Sequence, residues 1–264
     1  MSTPAVDFLS EYARHRAMEG RGLTGEALRA LPYLRGGPLA RQWTVRARTF
    51  EALLRAVVKP MAAERRGPLH ILDLGAGNGW LCHQICSMGH TAVAVDIRDD
   101  DVDGLGAAAT LEQQWPGRFE RVIASFEDLP LPSGLFDVAV FNAALHYARD
   151  LPRAIGEAAR MVEHGGVIAI LDSPFYRRDV DGTAMVAEKR AQGPARFGAS
   201  ADILLAQNFI EYLTPERLAS AAPQLSWRRH RVFYPLWYEL RPVIARIRGA
   251  RLPSRFDLWT ARAL

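Results

Sequence analysis

Cysteine is scarce in this 264-residue chain: only Cys82 and Cys86 occur. They stand four residues apart beside His83, and no second Cys/His cluster exists to complete a metal site, so no metal is expected. The plain reading is a pair of buried thiols packing a helix against a sheet. No signal-peptide pattern opens the chain, and the expected compartment is a reducing cytoplasm. Long apolar runs are also missing; none approaches the roughly 18–20 residues that span a bilayer. Charge of one sign is missing too, since 33 Lys+Arg against 29 Asp+Glu leave a formal +4, and no nucleic-acid partner is expected. Lys59 and Lys189 are the only lysines, so nearly every cation is a guanidinium. Compositional bias of the source explains this as well as function does, and arginine networks of a heat-adapted protein fit it too. Repeats and low-complexity segments are absent.

What the chain does contain is ordinary globular material, 49% hydrophobic and 23% charged, enough for one α/β domain with additions. Its most informative stretch is Ile71-Leu-Asp-Leu-Gly-Ala-Gly-Asn-Gly-Trp80. An apolar strand runs into Gly75, Gly77 and Gly79, and a helical pattern follows at once. Glycines at alternate positions let the backbone turn sharply and approach a ligand closely. The helix behind them directs free N–H groups at the turn. This order makes a nucleotide-type crevice.

Apolar runs predict strands at 69–74, 92–96, 119–124, 136–141 and 167–171, with helices at 80–88, 102–112 and 151–161 between them. Continuous apolar strands alternating with helices imply a Rossmann-like, doubly wound, mostly parallel sheet. Strands near 227–234 and 256–263 close it, the last antiparallel. Residues 1–66 read as an N-terminal helical cap, and 67–264 as the sheet domain. Within that domain, 172–209 reads as irregular because of Gly182, Gly193, Pro194 and Gly198, and about 173–213 forms a lid insertion after strand five. Thr214-Pro215-Glu216 starts a further helix.

Asp96 ends the second strand, where a carboxylate can accept both hydroxyls of a ribose; capping a turn is the simpler role. The third strand leads into Ala124-Ser-Phe-Glu-Asp-Leu-Pro-Leu-Pro132, and the fourth reads Phe136-Asp-Val-Ala-Val-Phe-Asn-Ala-Ala-Leu-His-Tyr147. These four motifs, in this order, resemble the class I S-adenosylmethionine-dependent methyltransferases, in particular the type-11 group with its quinone-biosynthesis members. The match runs from about 69 to 171. The resemblance implies S-adenosylmethionine as cofactor and S-adenosylhomocysteine as product. It places Gly75 and Gly77 beneath the methionine and ribose, with Asp73 positioning the loop and the amino group. Asp96 would hold the ribose, and Ile97 would pack on adenine. The group commonly carries an acidic residue before its Leu-Pro step; here Ser125-Phe126 stands instead. Ser125 would then contact the adenine amino group, and Phe126 would flank the ring. Asn142 would face the methionine end.

Methyl transfer from a sulfonium needs mainly alignment of nucleophile, carbon and sulfur. A hydroxyl nucleophile is helped by a base, and His146 after strand four is the first candidate, a pocket-shaping imidazole being the alternative. Asp172 and Tyr176 are further candidates, and Tyr12 and Trp43 could cover the methionine end. Phe175, Tyr176, Phe197, Ile203, Leu204, Leu205 and Phe209 in the lid point to a small, partly apolar acceptor. Arg177, Arg178, Arg190 and Arg196 could receive an anionic group or remain solvated. The 237–251 segment, rich in arginine and aliphatic residues, could rest on anionic lipid; packing over the last strands is the favoured reading. Two other functions stay open: a cofactor-binding protein without turnover, and a nicotinamide oxidoreductase, which the glycine spacing disfavours.

Overall fold

The computed structural model describes residues 4–263, with side chains from Phe8 onward. The termini of the expected cap and sheet domain, 1–3 and 264, lie outside the described residues. Seven strands form one sheet: β1 (His70–Leu74), β2 (Thr91–Asp96), β3 (Phe119–Ile123), β4 (Phe136–Asn142), β5 (Val162–Leu171), β6 (Arg228–His230) and β7 (Leu258–Arg262). Their order is β3-β2-β1-β4-β5-β7-β6. The first five are parallel; β7 runs antiparallel to both β5 and β6. The expected doubly wound sheet with an antiparallel last strand is therefore the observed one. The order reverses beside β1, which opens a crevice at the carboxyl ends of β1, β2 and β4.

Period-two side chains divide the core into two layers. Ile71, Ala92, Val138, Val140 and Val167 face one layer, and Leu72, Val93, Ala139, Phe141 and Ile168 face the other. The helices are α1 (Pro4–Met18), α2 (Gly25–Arg29), α3 (Ala40–Leu53), α4 (Lys59–Arg65), α5 (Trp80–Ser87), α6 (Leu105–Glu112), α7 (Leu151–Met161), α8 (Asp179–Phe197), α9 (Ala201–Leu205), α10 (Pro215–Ala221), α11 (Leu236–Glu239) and α12 (Arg241–Ile247). One wide turn, Leu54–Val58, joins α3 to α4. Pro60 explains it: the ring would strike the carbonyl one turn back, and widening that turn relieves the contact. Trp43, Phe50, Leu53, Val57 and Met61 share a cluster with Ile71 and Val138, so α3 and α4 cover one face of the sheet. α1 lies across the strand tips, and α3 reaches the β5 tip through Thr49 and Asp172. Cys82 and Cys86 are buried in the helix–sheet seam as expected. No described helix is long and apolar enough to cross a membrane.

Three expectations need correction. Strand five begins at Val162, not 167; Gly165 and Gly166 form an irregularity within the strand rather than a preceding loop. The stretch expected to be irregular contains the 19-residue α8. Gly182 and Gly193 serve close packing there, because a Cβ on either would overlap the Tyr212 ring or the Leu205 side chain. Pro194 lies near the helix end, where one lost hydrogen bond is tolerated. Last, the 237–251 segment packs only in part: Tyr238 of α11 is buried beside Phe256, but α12 is left uncovered. It buries none of its residues, and Val243, Ile244 and Ile247 are exposed.

Candidate functional site

The glycine loop takes its shape from positive φ at Gly75 (76°), Gly77 (55°) and Gly79 (71°). A Cβ on Gly75 would overlap that of Ala144, and one on Gly79 would stand 2.8 Å from both Ala108 and Phe119. The N–H groups of Gly75 and Ala76 both donate to the Val95 carbonyl, at 2.8 and 2.9 Å. Asp96, half-buried at the tip of β2, accepts the Gly77 N–H at 2.8 Å and the Arg98 N–H at 2.9 Å. Its carboxylate thus braces the loop and caps its own turn, and each oxygen keeps a second lone pair. Burial raises its pKa, and the two N–H groups partly offset this.

Across the neighbouring tips the polar groups behave differently. Asp73 is fully buried; its Oδ2 receives only the Cys82 thiol at 3.8 Å, and its Oδ1 has no partner among the described residues. Burial, with the nearby Asp96 charge, pushes its pKa up to about 8. On β4, the Asn142 Oδ1 is buried without a partner. After β5, Asp172 has φ of 55°, an uncommon conformation for a residue with a Cβ. Its Oδ1 accepts from the Thr49 hydroxyl at 2.7 Å, while Oδ2 has no partner. Each such orphan costs about 1–3 kcal/mol if left dry. Three orphaned oxygens on neighbouring strands call for donors; an ammonium suits the pair on adjacent β1 and β4, Asp73 and Asn142, while Asp172 lies a further strand away.

His146 lies in the short turn Leu145–Tyr147 after β4. Its Nδ1 stands 3.4 Å from the Ser173 hydroxyl, and its ring 4.2 Å from that of Tyr147. Burial pushes the imidazole pKa down to about 3, and the cations of Lys189, Arg46 and Arg16 add to this. The ring is therefore neutral at pH 7, able to accept a proton but weakly basic. Overhead, Tyr12 of α1 donates to the Tyr147 hydroxyl at 2.9 Å, and Arg16 pairs with Asp103 through its Nε at 2.7 Å. Asp103 in turn accepts from Asn78 at 3.1 Å. These contacts hold α1 across the tips.

The structure gathers Asp73, Gly75, Gly77 and Asp96 around β1 and β2, with Asn142 one strand over. Ile97 is 48% exposed beside them, an apolar side chain at the crevice edge. The Ser125 hydroxyl accepts the Glu127 N–H at 3.1 Å. The Phe126 ring leans on Phe141 and lies near Gly75. Phe175, expected to face the acceptor, instead stacks on Trp259 at 4.9 Å within the core, and Tyr176 is buried against Tyr212. Of the lid arginines, Arg178 pairs with Asp181 and Arg196 with Glu19. No described cluster of His, Cys, Asp or Glu is arranged to hold a metal. Sequence reasoning missed Arg46 and Thr49. Both occupy the face of α3 that also carries Trp43 and Phe50, and polar residues on an apolar face were the available signal. A concavity of about 660 Å³ is lined by Leu151, Arg177, Thr214 and Arg217 and includes none of the tip carboxylates.

Residues 72–170 match the methyltransferase domain family. That stretch runs from β1 to β5 and makes up a little over a third of the chain. Among the curated relatives that match it in sequence are two methyltransferases with named acceptors or pathways. A malonyl-acyl-carrier-protein O-methyltransferase of Pectobacterium atrosepticum is 32% identical over 38% of this chain and 37% of its own. A ubiquinone/menaquinone biosynthesis C-methyltransferase of Methylobacterium nodulans is 27% identical over 48% and 50%. This chain thus spans half or less of those relatives. Among solved structures, a putative sarcosine dimethylglycine methyltransferase from Galdieria sulphuraria superposes with a TM-score of 0.58 at 16% identity, covering 97% of both chains. That likeness concerns the methyltransferase fold.

Proposed function

We propose that the protein transfers a methyl group from S-adenosylmethionine to a small, partly apolar acceptor, leaving S-adenosylhomocysteine. The observation that carries this reading is the row of unpartnered oxygens, Asp73 Oδ1 and Asn142 Oδ1, beside the glycine loop and Asp96. An adenosyl amino acid presents the complementary groups: an ammonium for the row, ribose hydroxyls for Asp96 and an adenine face for Ile97. Gly75 and Gly77 let the backbone approach, and Ser125 and Phe126 stand on the adenine side. When bound, the cofactor supplies a methyl group on a positive sulfur, which a nucleophile displaces directly. The residues then have to bind, orient and exclude water, with α1 and the lid at 173–213 closing over the tips. His146 is the proposed acceptor of the nucleophile's proton. The cytoplasm is the proposed compartment, in keeping with two free thiols.

Calorimetric titration with S-adenosylhomocysteine, S-adenosylmethionine and NAD tests the cofactor. Binding of the first two and not the third is expected, and the reverse result sinks the reading. Methyl transfer assayed across a metabolite panel tests turnover, and His146→Gln should slow it by about 10²–10⁴-fold. A rate within about threefold of the parent removes His146 as base. The depressed basicity of His146 favours one second reading, a protein that binds the cofactor without turnover. The exposed Val243, Ile244 and Ile247 beside Arg246 and Arg248 also suit transient contact with anionic lipid. Sedimentation with phosphatidylserine vesicles checks that contact, and its absence there removes it.

A further inference from the structure

A second cavity, of about 260 Å³, opens beside the β5 tip between α3 and α11. Arg41 and Trp237 form its exposed rim, and Arg46, Asp172, Tyr238 and Arg241 line it more deeply. Its position follows from the sheet. Asn142 pairs in register with Leu171, so Asp172 stands one residue beyond Asn142 on the adjacent strand. Adjacent strands are roughly 4.8 Å apart. Asp172, on the wall of this cavity, is therefore one strand over from the β4 tip.

Three guanidiniums face one carboxylate there. None of Arg41, Arg46 and Arg241 forms an ion pair among the described residues, although nearby Arg229 and Arg255 pair with Asp257. Each stands over an aromatic ring instead. Arg41 lies 5.8 Å from the Trp237 centroid, Arg46 4.9 Å from Trp43, and Arg241 3.6 Å from Tyr238. Arg241 donates to the Ser254 carbonyl at 2.7 Å, yet its Nε is buried without a partner. Asp172 Oδ2 is also buried and unpartnered. The cavity thus has an unspent donor on one wall and an unspent acceptor on another.

We propose that this cavity is the methyl-acceptor site, and that the acceptor has a flat apolar body, a carboxylate or similar anion, and a hydroxyl or amino group at its far end. The proposal rests on the methyl-transfer reading. A planar guanidinium fork matches a carboxylate in two hydrogen bonds, and a ring already stacked beneath it limits its motion. Trp237 and Tyr238 offer walls to an aromatic body. The volume suits a one- or two-ring molecule, near the lower end of small-molecule pockets. Asp172 Oδ2 accepts from the O–H or N–H of the reacting end and holds it next to the β4 tip.

The test uses 6-hydroxy-2-naphthoate and its uncharged amide, titrated calorimetrically into protein saturated with S-adenosylhomocysteine. The acid should bind at least about tenfold more tightly than the amide, the scale of charge-assisted hydrogen bonds. Arg241→Gln and Arg41→Gln should together cut that preference to about threefold or less, and Arg241→Lys, which keeps the charge but not the fork, should fall between. Affinity for S-adenosylhomocysteine should be unchanged in all three variants, which also shows that they fold. Equal binding of acid and amide, no binding of the acid, or a preference untouched by the arginine changes overturns the proposal. Failure of the parent protein to bind S-adenosylhomocysteine at all would instead overturn the methyl-transfer reading.

Discussion

The two halves of the crevice treat their polar groups in opposite ways. At the β1–β2 tips, Asp96 has both oxygens engaged by backbone N–H groups and the glycine loop is braced from beneath. At the β4–β5 tips, Asn142 and Asp172 each keep a buried oxygen without a partner, and Asp172 adopts a positive φ. The first half is built to hold its shape when empty. The second retains local strain and unspent acceptors that a ligand would relieve. Asp73 belongs to both, being fully buried on β1 yet left with an oxygen that has no partner among the described residues.

The sharpest way to break this contrast is Gly75→Ala. A positive φ and overlap with Ala144 should together destabilise the fold by about 2–4 kcal/mol in urea unfolding. A variant as stable as the parent would show that the loop is not braced. Asp96→Ala comes next, with an expected loss of about 1.5–3 kcal/mol in S-adenosylhomocysteine affinity by calorimetry. Unchanged affinity would remove Asp96 from the site.

Asp73 offers a pH test. Its folded pKa of about 8 lies above the unfolded value near 3.9, so the empty folded protein holds a proton that the unfolded chain releases. Its contribution to stability is complete below about pH 3.9 and is lost as pH rises through 8. An ammonium bound there would restore the carboxylate, so ligand binding at pH 7 should release up to about one proton. Calorimetry in two buffers of different ionisation enthalpy measures it, and zero release means no cation meets Asp73. The smallest effect is expected from Asp172→Asn, less than about 0.5 kcal/mol in cofactor affinity. A loss as large as that of Asp96→Ala would merge the two halves into one binding surface.

How far these features could be read in advance depends on the range of the interaction involved. The five parallel strands, the glycine loop and Asp96 were legible because each is a local pattern: apolar runs, alternate glycines, a carboxylate closing a strand. Helix α8 was not, because Gly182 and Gly193 look like breakers until Tyr212 and Leu205 are seen to need their missing side chains. Thr49 escaped notice because its partner, Asp172, is 123 residues away, and Arg46 because the other walls of the cavity it lines come from distant parts of the chain. His146 was identifiable as a residue, but its depressed basicity comes first from burial, to which Lys189, Arg46 and Arg16 on three separate elements add.

The order of residues by itself settled the doubly wound sheet and the loop at its switch point, since period, glycine placement and strand-end acidity act over a few neighbours. Only the tertiary structure decided which polar atoms are spent and which are left over. Partnership between buried groups is a matter of distance in space, and the folded chain sets that distance when it brings α1, α3 and the lid over the strand tips.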